Sequence, residues 1–206
     1  ALTFVRVAWQ RDPLVASASS DGTLQIWAVG TDPIILIQHT GRINRLFPYS
    51  GVDSDNCFLL SAAEYGEVFV WQLGLGVTLL HDAEVTVRLD GHGAWTVWDI
   101  AASPDGSLAI SGDEEGKAFL WSLRTSSLGL RLRRAPPHPS AIRAVCFSPD
   151  GGLVCTGCLE GIVHVVTSVD GTLVQSLKHT DSVWALCFNP TARLLATGSG
   201  QGPVGT

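Results

Sequence analysis

The sequence predicts an all-β chain built from repeated four-stranded units, and three observations carry that expectation. First, one block recurs, as Asp21-Gly-Thr-Leu-Gln-Ile-Trp27, Tyr65-Gly-Glu-Val-Phe-Val-Trp71, Glu115-Gly-Lys-Ala-Phe-Leu-Trp121 and Glu160-Gly-Ile-Val-His-Val-Val166. Its end points are 44, 50 and 45 residues apart, inside the range of repeat architectures. Second, a hydroxyl residue stands ten positions before each block end, as Ser17, Ser61, Ser111 and Thr156, with Thr197 ahead of a fifth copy that begins at Gln201. Third, 22 glycines accompany 7 tryptophans, a pairing of turn positions with large apolar anchors that suits short strands.

Each unit reads as strand and turn in the same order. A first strand, such as Val145 to Phe147 or Val183 to Phe188, runs into Ser-Pro-Asp-Gly at 103–106 and 148–151, or Asn189-Pro-Thr-Ala192, sequences that turn the chain. A second strand ends in small residues, as in 108–112 and 194–198, and a third ends on the block's Trp. A fourth, such as Ile34 to Gln38, Val85 to Leu89, Leu128 to Arg133 or Thr172 to Leu177, leads to the next unit's His39, His92, His138 or His179. Each of these histidines precedes its hydroxyl by 18 to 22 residues, the reach of two strands and a turn. The units are 1–38, 39–90, 91–137, 138–178 and an incomplete 179–206.

Composition bounds the rest. An apolar fraction of 46% with 16% charged residues fits a folded globular chain rather than a disordered or collagen-like one. The longest aliphatic run, Ile34 to Ile37, falls far short of a membrane-spanning helix. A net charge of −6 argues against a broad phosphate-neutralising surface, so no nucleic acid or membrane partner is expected. Cys57, Cys146, Cys155, Cys158 and Cys187 are odd in number and lie mostly in apolar runs. They read as reduced core thiols of an intracellular protein, in the cytoplasm with nucleus or cilium as alternatives. The chain starts at Ala1 and holds no Met, so a processed chain or a piece of a longer one is expected.

Four-stranded units of this length, with Gly91-His92 and a closing Trp, resemble the WD-repeat β-propeller family over essentially the whole chain. The resemblance implies a partial β-propeller of four complete four-stranded blades plus part of a fifth. It also implies a buried tetrad of His, Ser or Thr, an acid and Trp tying each blade together. In the third unit these are His92, Ser111, Glu115 and Trp121, with Glu where Asp is usual. Elsewhere Asp21 has no His partner, Tyr65 and Gln201 stand at the acid position, and Val166 replaces the Trp.

Serine, histidine and an acid also suit a hydrolytic triad, which makes an enzymatic propeller the lesser alternative. Their recurrence in unit after unit at strand positions argues instead for a structural role, because a nucleophile is needed once and in an open cleft. Cys155 and Cys158 with His164 invite a metal reading, but a spacing of three puts the thiols on opposite strand faces. No metal, cofactor or catalytic residue is therefore expected.

Binding remains. Aligned on the Pro turns, Asn44, Trp98, Arg143 and Trp184 are equivalent residues at the start of each innermost strand, and the resemblance puts that position at the channel mouth. Trp and Arg dominate interface energetics, at about 2 kcal/mol or more each when central. The competing reading has both Trp rings wedged between blades. Asp113, Glu114 and Glu115, with Asp99 nearby, are expected on the same surface, where they would attract a basic peptide. The alternating Leu128–Arg134 stretch reads as a charged edge strand, and Tyr49 to Asn56 and Gly74 to Ala83 as loops. The expected function is a non-enzymatic scaffold presenting this face to a protein or peptide partner. The alternative is an open propeller completed in trans by a partner's strands. Four and a half units leave Trp9, Leu186 and Phe188 facing water, so the isolated chain is expected to be marginal or self-associating.

Overall fold

A computed structural model describes residues 3–7, 14–28, 34–37, 39–50, 57–73, 84–124, 128, 131–191 and 194–200. Of the loops expected at Tyr49–Asn56 and Gly74–Ala83, residues 51–56 and 74–83 lie outside the described residues, as do Trp9, His81, Pro203 and Gly205, whereas Tyr49 and Ser50 are corrected to strand residues that pair with Phe58 and Cys57.

The described chain is a partial propeller of antiparallel sheets. The first holds β1 (Thr3–Val7), β2 (Leu14–Ala18), β3 (Thr23–Ala28) and β4 (Ile34–Ile37). The second holds β5 (Ile43–Ser50), β6 (Cys57–Ala63), β7 (Val68–Leu73) and β8 (Glu84–Arg88). The third consists of β9 (Val97–Ala102), β10 (Leu108–Asp113), β11 (Ala118–Ser122) and β12 (Arg131–Arg134), and the fourth of β13 (Ile142–Phe147), β14 (Leu153–Cys158), β15 (Ile162–Thr167) and β16 (Leu173–Lys178). A fifth sheet pairs β17 (Val183–Phe188) with β18 (Leu195–Ser199). In the four-stranded sheets spatial order follows chain order, with consecutive strands joined by connections of at most ten residues.

Both Ser-Pro-Asp-Gly segments close their hairpins as the sequence predicts. Ser103 and Ser148 donate their backbone N–H to Leu108 and Leu153 O at 2.9 Å. Asp105 accepts from the Ser107 N–H, and Gly106 and Gly151 sit at φ 68° and 70°, where a side chain would be strained. The block glycine has a second reason to be Gly. At Gly161, φ 78°, a Cβ would meet the His179 carbonyl oxygen at 2.6 Å, because that loop packs against the next unit's histidine segment.

The core lies between consecutive sheets. Ala16, Leu24 and Ile26 pack with Leu46, Leu59 and Trp71, and Leu60 and Val70 with Ile100 and Trp121. Ile110 and Leu120 meet Val145 and Val154, and Cys155 and Val165 meet Val183. Strands buried on both faces explain why β7 and β11 read as continuous apolar runs rather than alternating ones. Leu186 and Phe188, expected to meet water, are half-buried against the fourth sheet. The innermost strands stand side by side, β5 against β1 and β9, and β13 against β9 and β17. All five cysteines are free; Cys57, Cys155 and Cys158 are buried, but Cys187 is exposed, unlike the expected core thiol. Among the described residues no helix is long and apolar enough to cross a membrane.

Candidate functional site

Two structures dominate the end of the blades where each innermost strand begins: a buried His–hydroxyl hydrogen-bonded set in the second, third and fourth sheets, and a row of side chains at the rim.

In the third sheet Trp121 Nε1 donates to Ser111 Oγ at 2.8 Å, and Ser111 Oγ lies 2.6 Å from His92 Nε2. His92 Nδ1 meets a carboxylate at 2.7 Å, but that carboxylate is Asp113. The sequence assigned the acid to Glu115, and this is corrected: Glu115 is an exposed turn residue paired with Lys117. The acid stands at the end of β10, where the strand still points inward, while the position two residues later has entered the turn. With Nδ1–H donating to Asp113, Nε2 is the acceptor and the Ser111 hydroxyl donates to it, which leaves Ser111 an acceptor for the indole. Every polar atom of the set is thereby partnered.

The second sheet reaches the same end from a different residue. His39 Nε2 contacts Ser61 Oγ at 2.6 Å, Trp71 Nε1 donates to the same oxygen at 2.8 Å, and the acid on His39 Nδ1 is Glu67 at 3.1 Å. Ala63, at the place of Asp113, pairs across the hairpin with Glu67, whose backbone O accepts the Ala63 N–H at 2.9 Å. The longer Glu arm bridges that offset, so an acid that the sequence placed at Tyr65 is supplied two residues later. Burial pushes His39 down to about 4 against the pull of Glu67.

The fourth sheet is incomplete. His138 Nε2 meets Thr156 Oγ1 at 2.7 Å, Val166 offers no indole, and buried Cys158 occupies the place of Asp113. His138 Nδ1 is buried without a partner, and His164 stacks on it with ring centroids 4.2 Å apart, where Phe69 and Phe119 cover the other histidines. Burial and His164 hold His138 down at about 3. In the first sheet Trp27 donates to Ser17 at 3.2 Å but is 39% exposed. Asp21 binds Thr23 in its own exposed turn. His179 and Thr197 are not hydrogen-bonded to each other.

The rim has a structural basis absent from the alignment. In each of the second to fifth sheets the innermost strand carries a β-bulge. Ile43 and Arg45 pair with consecutive residues of β6, as do Val97 and Asp99 on β10, Ile142 and Ala144 on β14, and Val183 and Ala185 on β18. The unpaired residue is Asn44, Trp98, Arg143 and Trp184 in turn. A bulge frees one residue from the ladder and re-aims its side chain, here sideways toward the neighbouring blade. Asn44 Nδ2 donates to Val97 O at 3.0 Å. The Arg143 guanidinium lies 3.6 Å from the Trp98 ring centre and 5.0 Å from that of Trp184, within cation–π range of both. Trp184 Nε1 donates to Gly200 O at 2.9 Å, whereas Trp98 Nε1 and Asn44 Oδ1 are buried with no partner. The two tryptophans therefore join through Arg143 along the rim, with Trp184 still 37% exposed.

Two of the expected surface acids are not on the surface. Asp113 is fully buried in the hydrogen-bonded set. Asp99 is buried and links three blades: it accepts from Arg45 Nε at 3.0 Å and from the N–H groups of Ile100 and Val145 at 3.0 and 2.8 Å. Burial raises Asp99 to about 6, against the opposing pull of Arg45. Glu114 is exposed, its N–H tied to Thr96 O at 2.9 Å. Two aromatics that sequence reasoning passed over also stand at this end. Tyr65, 57% exposed at φ 58°, caps the turn Glu64–Gly66, and Trp95, 48% exposed, lies in the segment leading into β9. A bulky residue at positive φ is a strained position, and the sequence marked Tyr65 only as standing where an acid is usual.

The WD domain, G-beta repeat family model matches residues 83–122, 130–167 and 171–202, together just over half of the chain. The chain is 29% identical over 92 residues to the small ribosomal subunit protein RACK1y of Oryza sativa subsp. japonica, covering 45% of this chain and 26% of that protein. It is 36% identical over 83 residues to RACK1z of the same plant, covering 40% and 23%. With the human WD repeat-containing protein 90 it shares 26% identity over 151 residues, covering 73% of this chain and 8% of the relative. The chain thus spans at most about a quarter of the length of these relatives. Stacked antiparallel blades, the His–Ser–Trp sets and the matched repeats lead to one conclusion: the chain belongs to the WD-repeat family.

Proposed function

We propose that this chain is a non-enzymatic protein-interaction scaffold, acting inside the cell, whose bulged rim and adjoining loops receive a peptide or protein partner. The observation that carries the reading is the row of four bulges. A bulge breaks a ladder hydrogen bond, and its repetition on neighbouring strands delivers Trp98, Arg143 and Trp184 as one connected row beside exposed Tyr65 and Trp95. Aromatic and Arg side chains in a partly desolvated row are the composition of an interface centre. The hydrolase alternative is disfavoured because Ser111 Oγ is buried and both its donor and acceptor roles are used, leaving no approach for a substrate carbonyl.

A random-peptide display library panned on the protein tests this. Selected peptides are expected to shift the indole N–H resonances of Trp98, Trp184 and Trp95 and to lose affinity in Trp184→Ala. Peptides that shift only Trp27, or bind Trp184→Ala unchanged, overturn the rim as the docking face.

A further inference from the structure

We propose that the Arg143 guanidinium is a receptor for a carboxylate, so that the partner of this face is an acidic peptide that presents an Asp or Glu side chain to the rim. The inference rests on the rim reading above and reverses the charge that the sequence suggested.

Arg143 is pre-organised and unsatisfied. Its bulge position on β13 lifts it from the ladder, and its guanidinium carbon lies over the Trp98 ring at 3.6 Å with the Trp184 ring at 5.0 Å. Stacking uses the faces of a guanidinium and leaves its in-plane N–H edge. Among the described residues that edge has no hydrogen bond or ion pair. Arg45, one blade away, shows what such a group takes when an acid is at hand, since its Nε binds Asp99 at 3.0 Å. No acid among the described residues does the same for Arg143. Asp99 and Asp113 are buried and fully engaged, and Glu115 is held by Lys117. Glu114 lies near enough to stabilise the Arg143 cation, and Arg42 near enough to oppose it, but neither bonds to it. The rim therefore offers a fixed, half-buried cation with open donors beside exposed Trp184 and Trp95.

A carboxylate matches that edge with two parallel N–H···O bonds. A phosphate offers similar geometry at nearly twice the charge, so the single guanidinium neutralises a carboxylate but leaves a phosphate with uncompensated negative charge beside Glu114. The observations thus favour Asp or Glu over a phosphorylated residue. They also disfavour a basic peptide, which would set its own cation against Arg143 after two of the expected acids have left the surface.

The test uses display-selected peptides, resynthesised with each Glu replaced by Gln, Lys or phosphoserine, and measured by fluorescence anisotropy on wild type, Arg143→Lys and Arg143→Gln. Indole N–H resonances report in parallel whether the rim is occupied. In wild type the Glu form is expected to bind about tenfold or more tightly than the isosteric Gln form, the size of a charge-assisted pair. That ratio is expected to fall to about twofold in Arg143→Gln and to recover only partly in Arg143→Lys, which keeps the charge without the fork. If Arg143→Gln fails to fold, the wild-type and Arg143→Lys ratios decide. Rim binding with a preference for Lys or phosphoserine, or with equal Glu and Gln affinities, overturns the carboxylate assignment and leaves the rim reading standing. Peptides that leave the Trp98 and Trp184 resonances unmoved overturn both.

Discussion

Ser111→Ala removes one oxygen and strands two buried partners, which makes it the sharpest test of the hydrogen-bonded sets. Trp121 Nε1 loses its acceptor at 2.8 Å and His92 Nε2 its donor at 2.6 Å, in residues that are 0% and 2% exposed. Each buried group left unpaired costs about 1–3 kcal/mol, so the substitution is expected to destabilise by about 2–5 kcal/mol, a large share of the roughly 5–15 kcal/mol of a typical domain. Ser61→Ala removes the same pair of bonds, from His39 and Trp71, and is expected to match it. Thr156→Val keeps the volume but strips only His138, for about 1–2 kcal/mol. Ser17→Ala releases an indole that water already reaches, for less than about 1 kcal/mol. The four variants form a graded series at one repeat position, with urea unfolding followed by tryptophan fluorescence as the assay. Repeat arrays unfold with limited cooperativity, so the comparison rests on the order of the midpoints. Reasoning from stranded partners is refuted if Ser17→Ala costs as much as Ser111→Ala, or if Ser111→Ala costs less than about 1 kcal/mol.

Two further outcomes follow from the same geometry. Cys158→Asp places a carboxylate where Asp113 stands in the preceding blade; it is expected to raise the His138 titration point from about 3 and to stabilise the fold by about 1 kcal/mol. An NMR titration that leaves His138 unmoved contradicts it. Acid is expected to weaken the protein between pH 6 and 4. There His39 and His138, held near 4 and 3, take up protons only on unfolding, while Asp99, near 6, takes one up in the folded state. The difference, about one proton net, corresponds to a loss of roughly 1.4 kcal/mol per pH unit as pH falls. Unfolding midpoints that rise from pH 6 to pH 4 would reverse the sign.

What the sequence determined by itself is the repeat. Turn chemistry at Ser103–Gly106 and Ser148–Gly151, the hydroxyl ten residues before each Trp, and apolar runs that only doubly buried strands require are all local properties, and local properties are written residue by residue. His92, Ser111 and Trp121 were legible for that reason. The acid was not, because its identity depends on where a strand ends and a turn begins: Asp113 still points inward, Glu115 no longer does, and Glu67 succeeds from across a hairpin only because its arm is longer. The rim was legible as four aligned positions but not as a row. A bulge is a register relation between two strands, and the stacking of Arg143 on Trp98 and Trp184 joins three blades, so no single segment encodes either. Tertiary packing also decided which charges remain available, since burial carried Asp99 and Asp113 inward and left Arg143 with an open edge.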